Sequence, residues 1–241
     1  MSRNLPTPSS ALSVSAHPDD TEFGCGATLA RWAAAGCVVH LAVCTDGSKG
    51  SWDPQTDVAG LVVRRQGEQR EAARRLGATG EMVFLGFTDG ELEAHLGARA
   101  LLASWIRRLR PAVVLGHDPW KRYRIHPDHR QAGLLVTEAI VAARDPHFFP
   151  EQNLPAHRPG HLLLFEADEP DHYEDAGGWA GPKIAALEAH ESQFESTMGI
   201  IAGDDGTQRE TFRRRIHREL AEAGEPAGLA AAEAFKLLSD L

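Results

Sequence analysis

The chain has 241 residues, of which 42% are hydrophobic and 24% charged, and its formal net charge is −9. This composition argues against wholesale disorder, and the acidic balance argues against a nucleic-acid partner, because proteins that bind the phosphate backbone present a basic face. No apolar run approaches the roughly 20 residues that cross a bilayer, so we expect no membrane span.

The length fits a single domain over residues 1–241, with a flexible stretch over residues 1–10. The three cysteines, Cys25, Cys37 and Cys44, form no C-x-x-C pair and are odd in number. The N-terminal stretch lacks the apolar core of a signal peptide. We therefore expect reduced thiols and a cytoplasmic protein, and the sequence leaves an oligomer open.

Short runs rich in Val and Leu alternate with helical patterns along the chain. The runs predict strands over 11–16, 37–45, 81–86, 112–118 and 161–167, and apolar spacing predicts helices over 26–36, 58–77, 98–110 and 127–144. Such alternation predicts an α/β, Rossmann-like fold, with a mainly parallel sheet covered by helices on both faces. A polar loop over 168–178 and helical segments near 181–194, 207–222 and 229–240 are expected to pack on the rim and the sheet.

Two histidine motifs follow predicted strands of this sheet. H-P-D-D begins at His17 after the first strand, and H-P-D-H begins at His126 after the fourth. Pro127 suits the first position of a helix, which makes His126 the cap and puts His129 in the first turn. Ligands of such sheets bind outside the carboxyl ends of the strands. If the first and fourth strands are neighbours, the two motifs face each other.

Imidazoles and carboxylates without a thiolate suit a catalytic divalent ion such as zinc. Three ligands, His17, Asp20 and His129, would leave a coordination position open for water. Asp19 and His126 are then free for proton transfer. A metal lowers the pKa of bound water to roughly 7, and a nearby carboxylate takes the proton as that water attacks a carbonyl. These residues predict a metal-dependent hydrolase.

Two other classes of function stay open on the residues alone. One is a noncatalytic Rossmann-like module whose carboxylates hold a structural ion or another ligand. The other is a cofactor-dependent oxidoreductase, but Gly24-x-Gly26 lacks the third glycine of a dinucleotide-binding fingerprint, and the chain contains no P-loop motif.

The stretch AHPDDTEFGCGATLA and the later HPDHRQAG resemble the PIG-L / LmbE-like zinc-dependent N-deacetylases. The resemblance extends roughly over residues 12–193 and includes the blocks RRQGEQREAARRLG, VFLGFTDGEL and ALEAHESQF. It implies a hydrolase that removes the N-acetyl group from a small amide, with an N-acetylglucosamine-type sugar conjugate as the substrate.

The resemblance also implies roles for individual residues. It implies Asp19 as the general base and His126 as the electrophilic or acid partner, with Asp128 behind it. It implies zinc, with another divalent metal as the alternative, bound by His17, Asp20 and His129.

Some relatives hold the sugar with an arginine in an R-x-x-E block and an aspartate after the third strand, which match Arg65 and Asp89. Certain sugar-deacetylating members have a tyrosine two positions before H-P-D-H, where this sequence has Arg124. We assign Arg124 to the substrate, and whether it or the metal alone stabilises the oxyanion stays open. His117 is expected beside the site rather than as a ligand, and His190 is expected to be structural or exposed.

Overall fold

Strands and helices alternate along the chain in the predicted order. The computed structural model describes residues 2–241. Its strands are β1 Ser2–Arg3, β2 Ser10–Ser15, β3 Val38–Thr45, β4 Met82–Phe87, β5 Val113–His117, β6 His161–Phe165, β7 His172–Asp175 and β8 Ala232–Ser239. Its helices are α1 Asp20–Ala34, α2 Val58–Arg75, α3 Leu96–Leu109, α4 Pro127–Arg144, α5 Ala180–Leu187 and α6 Thr207–Gly224. Helix α1 is kinked at Cys25, and the part after the kink is the segment that the apolar spacing predicts.

The eight strands form one sheet in the order β1-β7-β8-β6-β5-β2-β3-β4. The five strands predicted from the alternating pattern, β2 to β6, pair in parallel. Strand β2 pairs with β3 on one side and β5 on the other, so the direction of the chain across the sheet reverses at β2. The expected adjacency of the first and fourth predicted strands is confirmed, and a reversal point of this kind is where such sheets bind ligands.

Helices cover both faces of the sheet, as predicted. Leu12 and Val14 of β2 pack on one face with Leu102 of α3 and Leu135 of α4. Ala11, which points the other way, packs in the layer that contains buried residues of α1, α2 and α5. Within residues 2–241, none of the helices is long and apolar enough to cross a membrane.

The C-terminal part differs from the sequence-based prediction. The helix expected near 229–240 is wrong, because this segment forms β8, which pairs antiparallel with β6 and β7. Its Ala- and Leu-rich spacing fits a helix locally, but hydrogen bonding to a strand on each edge overrides that preference. The polar loop over 168–178 contains β7, and Ser2–Arg3, within the stretch expected to be flexible, pairs with it. The helix near 181–194 is α5 followed by a 3-10 turn over Glu191–Gln193.

Candidate metal centre and active site

The candidate site lies at the carboxyl ends of the central strands. His17 follows β2, Asp89 follows β4, and His117 ends β5. Helix α1 begins at Asp20 and α4 at Pro127, so both helices start at this edge of the sheet. A cavity of about 580 Å³ opens there, and among residues 2–241 seven of the nine predicted site residues line it: His17, Asp19, Asp20, Arg65, Asp89, His126 and His129.

Three carboxylates surround the imidazole of His17. Its Nδ1 lies 3.3 Å from Oδ2 of Asp20, while its Nε2 lies 3.1 Å from Oδ2 of Asp128 and 3.3 Å from Oδ1 of Asp89. Burial lowers the pKa of His17, but the three carboxylates outweigh burial and raise this pKa to about 12. So much negative charge around one ring favours a cation at this place.

Asp20 joins the two histidine motifs. Its Oδ1 lies 3.3 Å from Nε2 of His129, and its Oδ2 lies 3.2 Å from Nε2 of His117. Burial opposes ionisation of Asp20, but the facing His129 and His117 rings outweigh it and hold the pKa of this carboxyl well below its usual range. His126 stacks on His129, with ring centroids 4.9 Å apart, so both imidazoles of H-P-D-H reach the same region.

Asp19 differs from its neighbour in both backbone and charge. Its φ of 100° lies in the left-handed region, which is uncommon outside glycine. Its Oδ2 is buried without a hydrogen-bond partner, and the closest cation is Nη2 of Arg65 at 3.7 Å. Burial raises the pKa of Asp19 to about 6, and Arg65 offsets part of that rise. A buried carboxylate on a cavity wall, with one oxygen that accepts no hydrogen bond, is suited to accepting a proton.

Asp128 has a different neighbour from the one the resemblance implies. Its carboxylate contacts His17 rather than standing behind His126. It also accepts hydrogen bonds from the backbone N–H groups of Gly90, at 2.6 Å, and Leu92, at 3.2 Å. Helical side chains tilt toward the N-terminus of their helix, so a residue in the first turn of α4 reaches back toward the loop after β4. Asp128 thereby ties that loop to His17.

The two residues implied to hold a sugar both line the cavity and both have protein partners. Arg65 is buried and donates to the carbonyl oxygens of Pro18, at 2.7 Å, and Gly47, at 2.9 Å. Asp89 is also buried and faces His17. Each therefore shapes the site in addition to any contact with substrate.

Arg124 lies behind His129. Its Nη1 is 2.6 Å from Nδ1 of His129 and 2.7 Å from Oε2 of Glu166. Glu166 follows β6 and also contacts Nδ1 of His117 at 3.2 Å. From the sequence, the position of Glu166 directly after a strand fits either a contact to substrate hydroxyls or a solvated loop, and the structure puts it on the cavity wall against His117 and Arg124. His117 is fully enclosed beside Asp20, in agreement with its expected place next to the ligands.

The residues present fit a divalent cation. Three overlapping groups have ligand atoms within 4.8 Å of one another: His17 with His126 and His129, Asp20 with His117 and His129, and His17 with Asp89 and Asp128. The triad predicted from sequence, His17, Asp20 and His129, spans the first two groups. Nitrogen and carboxylate oxygen donors without thiolate suit zinc in a catalytic site.

Comparison with known proteins shows sequence similarity to sugar deacetylases over most of the chain. The family model described as PIG-L, GlcNAc-PI de-N-acetylase, matches residues 12–140. Diacetylchitobiose deacetylase from Thermococcus kodakarensis is 34% identical over 186 residues, which cover 76% of this chain and 69% of that protein. The 1D-myo-inositol 2-acetamido-2-deoxy-alpha-D-glucopyranoside deacetylase from Streptomyces avermitilis is 36% identical over 169 residues, which cover 60% of this chain and 57% of that protein.

A solved structure extends the similarity to the fold. N,N'-diacetylchitobiose deacetylase from Pyrococcus horikoshii superposes with a TM-score of 0.84 at 28% sequence identity. The superposition covers 96% of this chain and 84% of that one. The structural similarity therefore extends well beyond residues 12–140.

Proposed function

The chain belongs to the PIG-L family of GlcNAc-PI de-N-acetylases, and on that premise we propose that it is a zinc-dependent hydrolase of N-acetylglucosamine-type sugar conjugates. It would cleave the amide bond to release acetate and the free amine. One observation carries the proposal: Asp19, a buried carboxylate with an unpartnered oxygen, adjoins the cluster of imidazoles and carboxylates on the cavity wall. A module that only holds an ion does not require a buried carboxylate oxygen that accepts no hydrogen bond.

We assign the metal to His17, Asp20 and His129. Asp89 and Asp128 face the other ring nitrogen of His17, and carboxylates in that position orient a ligating imidazole. When bound, a zinc ion supplies a nucleophile at neutral pH by lowering the pKa of water to about 7.

Asp19 is the proton acceptor in this proposal. Burial raises its pKa to about 6, so the carboxylate is ionised at neutral pH and still basic enough to take a proton from the attacking water. His126, whose pKa is lowered by burial and then by the neighbouring His17 and His129, donates a hydrogen bond from its imidazole to the reacting amide. Asp19 would then pass the proton it took from water to the amide nitrogen as the C–N bond breaks, so that the sugar leaves as a neutral amine, while His126 donates to the carbonyl oxygen.

Substrate contact is proposed for Asp89 and Arg65, since both line the cavity. Arg124 does not belong to that lining within residues 2–241. We propose that Arg124 does not contact the substrate and instead acts on the site through its contact with His129. The carbonyl oxygen of the substrate would then meet His126.

The substitution Asp19→Asn tests the proposal. We expect the zinc-loaded wild type to release amine from diacetylchitobiose or from a 2-acetamido-2-deoxyglucoside of inositol. Because the amide cannot accept a proton, Asp19→Asn should lose about 10²- to 10⁴-fold in kcat with its zinc content unchanged. Asp240→Asn makes the same chemical change at an exposed position and serves as the matched control.

Full activity of Asp19→Asn would refute the role of Asp19. Zinc binding without amine release from any N-acetyl sugar would favour the noncatalytic module.

We also propose a cytoplasmic location. All three cysteines are free thiols, and thiols stay reduced in the cytosol. Fractionation of the cells that produce the protein checks this location.

A further inference from the structure

The peptide group between Pro18 and Asp19 is held at both of its ends by one helix. Nη2 of Arg65 donates to the carbonyl oxygen of Pro18 at 2.7 Å, and Oε1 of Gln69 accepts the N–H of Asp19 at 3.0 Å. Arg65 and Gln69 are four residues apart on α2, so they share one face of that helix. Both side chains are buried.

The second end of Gln69 is also fixed. Its Nε2 donates to Oε1 of Glu22 at 2.7 Å, and Oε2 of Glu22 lies 3.4 Å from Nε2 of His190. Gln69, Glu22 and His190 are completely buried. Because a buried amide with both of its ends bonded has little freedom to turn, the position of Gln69 Oε1 is set by this chain of contacts.

The held peptide precedes the residue with the unusual backbone. Asp19 has φ 100° and ψ −27°, a conformation that persists only where surrounding contacts impose it. Rotation of the Pro18–Asp19 peptide would change this φ and swing the Asp19 carboxylate relative to Asp20. The orientation of one peptide group therefore decides where the carboxylate of Asp19 points.

We propose that Gln69 is a positioning residue for the reaction: together with Arg65, and supported by Glu22 and His190, it clamps the Pro18–Asp19 peptide and aims the Asp19 carboxylate into the cavity. This inference rests on the proposed function for its kinetic consequence. It gives a role to the RRQGEQREAARRLG and ALEAHESQF blocks, whose residues Gln69 and His190 touch neither the proposed metal nor the cavity's proposed chemistry directly.

Gln69→Met tests the clamp, because it keeps the length of the side chain and removes both hydrogen bonds. A misplacement of about 1 Å costs on the order of 10²-fold in rate, so kcat should fall by about that factor while KM and zinc content stay near wild type. Gln66→Met, the same change at a half-buried position of α2, is the matched control and should leave kcat unchanged.

A double variant that exchanges the amide and the carboxylate of residues 69 and 22 should restore part of the activity. In Gln69→Glu the new carboxylate faces Glu22 and the two repel, so kcat should fall. Adding Glu22→Gln restores one amide and one carboxylate with their places exchanged, and the carboxylate can still accept the Asp19 N–H. The double variant should recover about tenfold of the lost kcat, as expected for two residues that couple directly.

Hydrogen exchange at the Asp19 amide separates this inference from the proposed function. Gln69→Met should lose protection at Asp19, and Gln66→Met should not. If the wild type proves inactive on every N-acetyl sugar, the function fails but the exchange result still decides the clamp. Unchanged protection, or a kcat per folded zinc-loaded molecule equal to wild type in Gln69→Met, overturns the clamp. An equal loss of kcat in Gln66→Met overturns it as well.

Discussion

The carboxylates around the cavity have different surroundings and therefore different uses. Three imidazoles surround Asp20, and those of His129 and His117 hold its pKa down, whereas burial raises the pKa of Asp19. Asp128 is satisfied by two backbone N–H groups and His17, so it serves to orient that ring. In the proposed mechanism, the two adjacent acids of one motif are therefore divided between holding a cation and accepting a proton.

Arg124 provides a test at the scale of the residue. A guanidinium only donates, so Nδ1 of His129 must accept from it, whereas a histidine that binds a metal through Nε2 carries its proton on Nδ1. In Arg124→Gln the carboxamide oxygen can accept that proton. We therefore expect Arg124→Gln to bind zinc at least as tightly as the wild type, with little change in KM, as measured by zinc titration and steady-state kinetics.

Arg122→Gln is the control for this substitution, because Arg122 is exposed and pairs with Asp168 away from the histidines. Weaker zinc binding in Arg124→Gln alone would contradict the argument from the ring proton. A large rise in KM with unchanged zinc affinity would instead make Arg124 a substrate contact.

At the scale of the element, β8 is the segment whose local sequence pattern predicts the wrong secondary structure. The segment 229–240 has helical apolar spacing, and nothing in its own sequence reveals that β6 and β7 will leave a gap between them. A helix over 229–240 gives no reason for a buried glutamate, whereas in β8 the side chain of Glu233 is buried. Its Oε1 and Oε2 accept the N–H groups of Ala27 and Thr28, just beyond the kink in α1.

Gly24 and Gly26, which resemble part of a nucleotide-binding motif, flank the kink in α1, and packing contacts account for both. A Cβ on Gly24 would lie 2.6 Å from the ring of Phe165, so the close approach of α1 to β6 requires glycine there. Gly26 lies against the stem of Lys183, whose Nζ donates to Glu233 at 2.6 Å and to the carbonyl oxygen of Phe23 at 2.6 Å. Gly24 therefore serves the packing of α1 on β6, and Gly26 serves the packing of α1 against Lys183.

Breaking this buried ion pair should be costly. Glu233→Gln leaves the Lys183 ammonium buried without a counter-charge, and removal of one partner of a buried pair costs about 3–5 kcal/mol in free energy of unfolding. The double variant Lys183→Met with Glu233→Gln removes both charges and should be more stable than Glu233→Gln alone. Urea unfolding measures both differences.

An exposed pair on the same strand is the comparison. Lys236 pairs with Asp171, and both side chains are close to half exposed. Because exposed pairs contribute about 0–1 kcal/mol, Lys236→Met should change the free energy of unfolding far less than Glu233→Gln. Equal effects would contradict the claim that burial, rather than the presence of a salt bridge, makes the Lys183 pair important.

At the scale of the whole molecule, strand order brings the site together. The alternation of strands and helices predicts a parallel sheet, and such a sheet puts the residues after β2 and β5 at one edge. That logic suffices to bring His17 and Asp20 near His129. It does not suffice for the contacts of Asp128 with His17 or of Arg124 with Glu166, because these depend on the path of loops and on side-chain rotamers.

The same assembly makes metal binding a property of the whole fold. The proposed ligands lie after β2, at the start of α1 and in the first turn of α4, so a bound ion links segments more than a hundred residues apart in a protein of 241 residues. An ion that binds the folded state but not the unfolded chain stabilises it by about 2.7 kcal/mol at a free concentration of 100 Kd. For a chain of this size, that corresponds to a rise in Tm of about 5–10 °C.

We therefore expect zinc to raise the Tm of the apo wild type by that amount in a calorimetric scan, and a chelator to reverse the rise. His129→Ala removes a proposed ligand and should abolish most of the zinc-dependent shift. His147→Ala removes an exposed imidazole outside the cavity lining and should respond to zinc as the wild type does. An equal zinc-dependent shift in His129→Ala would mean that the ion is held by other residues, such as the group of His17 with Asp89 and Asp128, and would refute the proposed ligand set.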